Sequence, residues 1–79
     1  MNRVLYFIYS AAVGAKPLDE GSALYARVFR TEYSFKDYKW DRDANEWVAS
    51  DYLGYLTATG SPDLENVAEE NLPDQITKF

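Results

Sequence analysis

The stretch Val4-Leu5-Tyr6-Phe7-Ile8-Tyr9 decides how the rest of the chain must be arranged. It has no polar face, is dominated by β-branched and aromatic side chains, and ends at Ser10 and a run of small residues. A continuous apolar segment of this kind reads as a strand buried on both faces, and so as a central strand of a sheet. Arg3 ahead of it and Ala12-Val13-Gly14-Ala15 behind it also outline a signal peptide. Tyr6 and Tyr9 interrupt that pattern and a single side-chain charge precedes it, so the strand is the better reading. The apolar run from Val4 to Ala15 is too short to cross a bilayer as a helix.

Working outward, Gly14, Pro17 and Gly21 mark residues 11 to 21 as a long loop. From Ser22 to Tyr33 the pattern alternates: Leu24, Ala26 and Val28 form a core set. Tyr25, Arg27, Phe29, Thr31 and Tyr33 form a second, partly exposed set. A third strand is expected over residues 34 to 40. The segment 41 to 46, with Asp41, Asp43, Asn45 and Glu46, reads as a turn, because Asp and Asn tolerate left-handed backbone and bond their own main chain. Trp40 and Trp47 flank it and are placed to pair across the hairpin mouth; Val48 and Ala49 finish a short fourth strand.

Beyond Ser50 the period changes. Ser50 or Asp51 can cap a helix in which Tyr52, Leu53, Tyr55, Leu56 and Thr59 recur at helical spacing up to Gly60. At about two turns it must dock on the sheet to persist. Ser61-Pro62-Asp63 is a turn. Leu64, Val67, Leu72, Ile76 and Phe79 are again nearer helical spacing, with Pro73 expected either to break the pattern or to open a new turn at its first position. The expected fold is α+β: a small antiparallel sheet of three or four strands packed with one or two short C-terminal helices. Residues 1–79 form a single domain.

Composition sets the limits on chemistry. The 79 residues are 47% hydrophobic and 16% aromatic, too rich in apolar surface for a disordered chain. A domain this short buries only about 60% of its unfolded surface, so its stability margin is thin. Cysteine and histidine are both absent. Their absence removes disulfides, the usual zinc ligands, thiol and Ser-His nucleophile systems, and the common proton shuttle near neutral pH. A reducing cytoplasm is the favoured compartment, the host cytoplasm if the gene is a phage's.

Remaining constellations are weak. Asp41, Asp43 and Glu46 crowd one turn, but the glycine and the bidentate Glu of a calcium loop are missing, so no metal is expected. Gly14 and Gly21 lack the Lys-Ser/Thr of a phosphate loop. Paired carboxylates for glycoside hydrolysis need a cleft that this chain is too short to wall. The expectation is a non-enzyme without cofactors. Arg27, Arg30, Lys36 and Lys39 interleave with Tyr25, Phe29, Tyr33, Phe35 and Tyr38, a pattern compatible with stacking single-stranded bases. Against that stand a pI near 4.5 and the expectation that most of those aromatics are core, so nucleic acid is ranked below a protein partner.

The charge is unevenly spread. Residues 1 to 39 carry six basic and four acidic side chains, net +2, and residues 40 to 79 carry two basic and nine acidic ones, net −7. Trp40-Asp41, Glu46-Trp47-Val48, the short Leu-containing helix and Ser61-Pro62-Asp63-Leu64-Glu65, leading to Val67 and Glu69-Glu70, resemble the C-terminal half of small uncharacterised proteins from phages and their bacterial hosts. The likeness covers about half of the chain, and Pro73 departs from the uninterrupted helix of that group. Having no established activity, the group implies no functional residues here, only a phage-type accessory protein.

The sequence is therefore read as a small acidic protein-binding module, in its sharpest form a stoichiometric inhibitor of a basic or nucleic-acid-binding host protein. Its expected contact set is Trp40, Asp41, Asp43, Glu46, Trp47, Asp51, Tyr52, Tyr55, Glu65, Glu69 and Glu70. Aromatic anchors would supply affinity and the acids a charged rim. In the nucleic-acid-imitating version the acids share one face. The alternative is a structural homo-oligomer or virion component, with a single-stranded nucleic-acid binder ranked lower.

Overall fold

A computed structural model of the chain describes residues 3–10 and 22–77. The loop expected at 11 to 21 lies outside the described residues. Among the described residues five strands are formed, β1 (Arg3–Tyr9), β2 (Ala23–Phe29), β3 (Phe35–Asp41), β4 (Glu46–Ala49) and β5 (Leu64–Val67). One helix, α1 (Tyr52–Thr59), sits between β4 and β5, and a single 3-10 turn follows at Glu69–Asn71. The strand order is β4-β3-β2-β1-β5 with every neighbour antiparallel. The fold is α+β.

Two expectations are corrected: the sheet has five strands rather than three or four, and its helix precedes the last strand instead of ending the chain. The reason lies in Leu64 and Val67. Three residues apart, they fit a helical stripe, yet in β5 they take opposite faces, opposite Tyr9 and Tyr6 of β1. Without β5, β1 would have one edge unpaired; four ladder positions satisfy it, and intrinsic preference yields to pairing. Pro73, two residues beyond the 3-10 turn, removes a donor that a continued helix would need.

Alternation sorts the side chains onto two faces. On one, Tyr6 and Leu24, Ala26 and Trp40 are buried with Leu72 and Ile76. Val4, Trp47 and Val67 pack around them. On the other, Tyr25 is buried with Leu53 and Leu56 of α1, flanked by Phe7, Tyr9, Ala23 and Leu64. From β4 the chain crosses this second face as α1, pairs as β5 on the far edge, and returns over the first face as the segment 68 to 77. Both faces of β1 and β2 are thereby covered except at the end that carries Arg3 and Phe29, which is why the Val4–Tyr9 run needs no polar side. Trp40 and Trp47 are cross-strand partners with rings 5.2 Å apart, edge to face. The indole N–H of Trp47 donates to the Ile76 carbonyl at 2.7 Å, tying the returning segment down.

Local chemistry closes the turns. The Asp41 carboxylate accepts from the N–H groups of Asp43 and Ala44 at 3.0 and 3.2 Å, and Asn45 takes left-handed backbone at φ 54°. Ahead of α1 the Ser50 hydroxyl accepts from the Tyr52 N–H at 3.4 Å, while the Asp51 side chain makes no cap bond. Gly60, at φ 66°, ends the helix in the left-handed conformation, its N–H directed to the Leu56 and Thr57 carbonyls. Arg27 joins β2 to β3 by an ion pair and reaches α1 by a hydrogen bond. Arg27 donates to both Asp37 oxygens at 2.8 and 3.1 Å and to the Thr57 hydroxyl at 3.3 Å.

The buried tyrosines make stability fall in alkali. Burial, and then the Glu69 charge, raise the Tyr6 hydroxyl above its ordinary pKa of 10.0. Burial, then Tyr52 and Tyr9, raise that of Tyr25. A raised folded pKa means that the unfolded chain releases its proton first. The stabilisation is complete below pH 10.0 and is lost as pH climbs through the raised folded values. Denaturation followed by circular dichroism should show this loss, and the double variant Tyr6→Phe/Tyr25→Phe should be less sensitive between neutral pH and alkali.

Candidate functional site

Alternation along β3 and β4 places Asp41, Glu46 and Val48 on the face that carries α1. Lys39, Asp41, Val48, Ala49 and Ser50 line an open concavity of about 430 Å³ at this edge of the sheet. Ser50 leads directly into Asp51 and then Tyr52, whose ring lies 6.2 Å from that of buried Tyr25. Tyr55, one turn on, stacks against Tyr52 at 5.7 Å with the planes 25° apart. These two rings remain 47% and 61% exposed, and Val48 43% exposed. Large apolar side chains held open beside carboxylates are the composition of a contact surface rather than of a core.

The expected contact set is only partly brought together. Asp41, Glu46, Asp51, Tyr52 and Tyr55 share this face, with exposed Asp43 at the adjoining hairpin tip. Trp40 does not belong: at 8% exposure it is core, and no partner can reach it without unfolding the domain. Trp47 points to the same opposite face and its N–H is committed to Ile76, so it acts as a clasp and not as an anchor. Glu65 is also on that face, on the opposite edge strand β5, and Glu69 and Glu70 fall in the 3-10 turn after it. The acids are therefore split between two faces and two edges of a five-stranded sheet, roughly 19 Å across at strand spacing. Asp41, Glu46 and Asp51 rim the α1 side, but the acids as a set form no continuous row, which removes the geometric basis for nucleic-acid imitation by one carboxylate face.

What the sequence passes over is Val48, an exposed apolar side chain that lines the concavity. The strand alternation carries that signal: Val48 lies opposite Lys39, not in the Trp40–Trp47 layer. Among the described residues no group of three or more acidic side chains is arranged to hold a metal ion. Nor is any helix among them long and apolar enough to cross a membrane. No family model, no curated protein and no solved structure matches the chain.

Proposed function

We propose that this chain is an acidic protein-binding module that docks a basic surface of its partner on the β4 edge and the first turns of α1. The carrying observation is the exposed, stacked Tyr52–Tyr55 pair beside the Val48 concavity, with Asp41, Glu46 and Asp51 around it. Stiff aromatic rings give contact area at small entropic cost, and the acids steer a positive partner and fix its register. By occupying a basic surface in a one-to-one complex, such a module would act as a stoichiometric inhibitor of a host protein that uses that surface for nucleic acid. The phage-type setting rests on the sequence resemblance alone.

The test is affinity capture from bacterial lysate, at low and high salt, with the wild-type chain and Asp51→Lys/Tyr55→Ala run in parallel. Neither position is structural: Asp51 makes no cap bond and Tyr55 is largely exposed, so stability should change by no more than about 0.5 kcal/mol each. A basic protein held by the wild type at low salt, released at high salt and lost with the variant supports the reading. Identical capture by both chains, or none at all, removes it. A defined oligomer with no partner would leave the structural homo-oligomer in its place.

A further inference from the structure

At the other end of β3 a different surface is exposed, and its chemistry is opposite. The β2–β3 hairpin closes through Arg30 and Thr31 N–H groups donating to the Ser34 carbonyl at 2.9 and 3.4 Å, and through the Tyr33 N–H to the Thr31 hydroxyl at 3.2 Å. This tip holds Tyr33 out at 91% exposure. Behind it, register places Arg3, Phe29 and Phe35 in one row across β1, β2 and β3. The row lies beyond the reach of α1, whose last tie to the sheet on this side is Thr57 to Arg27. Phe35 is half exposed, with its ring 5.5 Å from Phe29. The guanidinium of Arg27 lies 4.1 Å over Phe35, and that of Arg3 5.5 Å over Phe29.

Two open concavities meet at Arg30. One, about 490 Å³, includes Arg3, Phe29 and Thr31; the other, about 280 Å³, includes Ser34, Phe35 and Lys36. Among the described residues Arg3, Arg30 and Lys36 form no ion pair, whereas Arg27 is already neutralised by Asp37. The hairpin end thus presents Arg3 beside the rings on one face, Lys36 on the other face with its amine 5.6 Å from the Tyr38 ring, and Arg30 where the two concavities meet, together with the Thr31 and Ser34 hydroxyls.

We propose that this hairpin end binds single-stranded nucleic acid, with Tyr33 and Phe35 stacking bases and Arg3, Arg30 and Lys36 contacting phosphates. The site does not depend on the protein-docking face, which lies at the opposite end of β3. An acidic peptide would satisfy the cations but would leave Tyr33, with both ring faces open, without a role. A duplex hides its base faces and cannot use the rings at all. The overall charge of −5 does not forbid the contact. The acidic turn beginning at Asp41 is about 20 Å away along the seven residues of β3, beyond a screening length of about 10 Å at moderate salt. Among the described residues Glu32 is the one acid lining the concavities.

The experiment is fluorescence anisotropy with a short labelled oligo(dT), titrated at several salt concentrations. The wild type should bind at about 50 mM salt with a Kd of roughly 1–100 μM, and with a log–log salt slope near −2 for about three phosphates. Tyr33→Ala should weaken binding roughly 5- to 150-fold, the worth of one stacked base. Arg30→Glu should weaken it and flatten the salt slope by about one. Both sites are on the surface, so thermal melts should match the wild type and report that the variants are folded. The proposal is overturned by absence of binding up to about 100 μM protein, by variants that bind like the wild type, by tighter binding of the corresponding duplex, or by polyglutamate competing as well as unlabelled oligo(dT).

Discussion

Trp40→Ala should destabilise the domain by about 3–5 kcal/mol, a large share of its total stability. The indole fills the layer between the sheet and the returning C-terminal segment, among Tyr6, Leu24, Ala26, Leu72 and Ile76, with only 8% of the residue exposed. Truncation removes that area from the core and leaves a void that β3 cannot close, since its backbone is held by ladders on both sides. Trp47 loses its edge-to-face partner at the same time, an interaction worth about 0.5–1.5 kcal/mol beyond area. At about 0.05–0.15 kcal/mol per residue, a domain of 79 residues has a total stability of only some 4–12 kcal/mol. Urea denaturation followed by tryptophan fluorescence would measure the loss through the remaining Trp47. A midpoint close to wild type would mean that Trp40 is a surface residue after all. Any binding lost with Trp40→Ala would then be traceable to unfolding only if the midpoint has fallen.

Asp37→Ala should cost roughly 3–5 kcal/mol, although it deletes only one ion pair. The side chains of Arg27 and Asp37 are 15% and 9% exposed, pressed between β2, β3 and α1. Removing the carboxylate strands a guanidinium that has little water and, among the described residues, keeps the Thr57 hydroxyl and the Phe35 ring. Removing both charges is different in kind: Arg27→Met/Asp37→Leu fills the space with apolar volume and should recover most of the loss, or exceed the wild type. The pair of measurements separates the worth of the ion pair from the penalty of an orphaned charge. If the double variant were as unstable as Asp37→Ala, the ion pair itself would be the source of stability.

The legible parts of the fold were those in which a single strong pattern had one solution. The unbroken Val4–Tyr9 run places β1 inside the sheet, and the Leu24/Ala26/Val28 alternation sets the register of β2. The Asp-rich turn with Asn45, and Gly60 as a helix stop, act through local backbone chemistry and fall where the sequence puts them. Tyr25 was less legible. Alternation assigns it to a partly exposed set, and only the path of α1 over that face buries it. β5 was illegible, because Leu64-Glu65-Asn66-Val67 has little strand preference and owes its conformation to the edge of β1. In the candidate site, Tyr52 and Tyr55 followed from helical spacing, whereas Trp40 and Trp47 look identical in sequence whether they face a partner or a core. Their assignment depends on Leu72 and Ile76 folding back over them, a contact at a sequence distance of some thirty residues that no local pattern encodes.

That late closure has a consequence for how the chain is made. While a ribosome is still delivering residues 64 to 77, β1 has no outer neighbour and the Trp40 layer has no lid. The nascent chain can form the β1–β2–β3–β4 meander, but with an apolar layer bare and one long edge open to pairing with other nascent chains. Protection arrives only once residues 64 to 77 have cleared the exit tunnel. A premature stop codon ahead of Leu64 would therefore be expected to yield an aggregating fragment rather than a weakened domain.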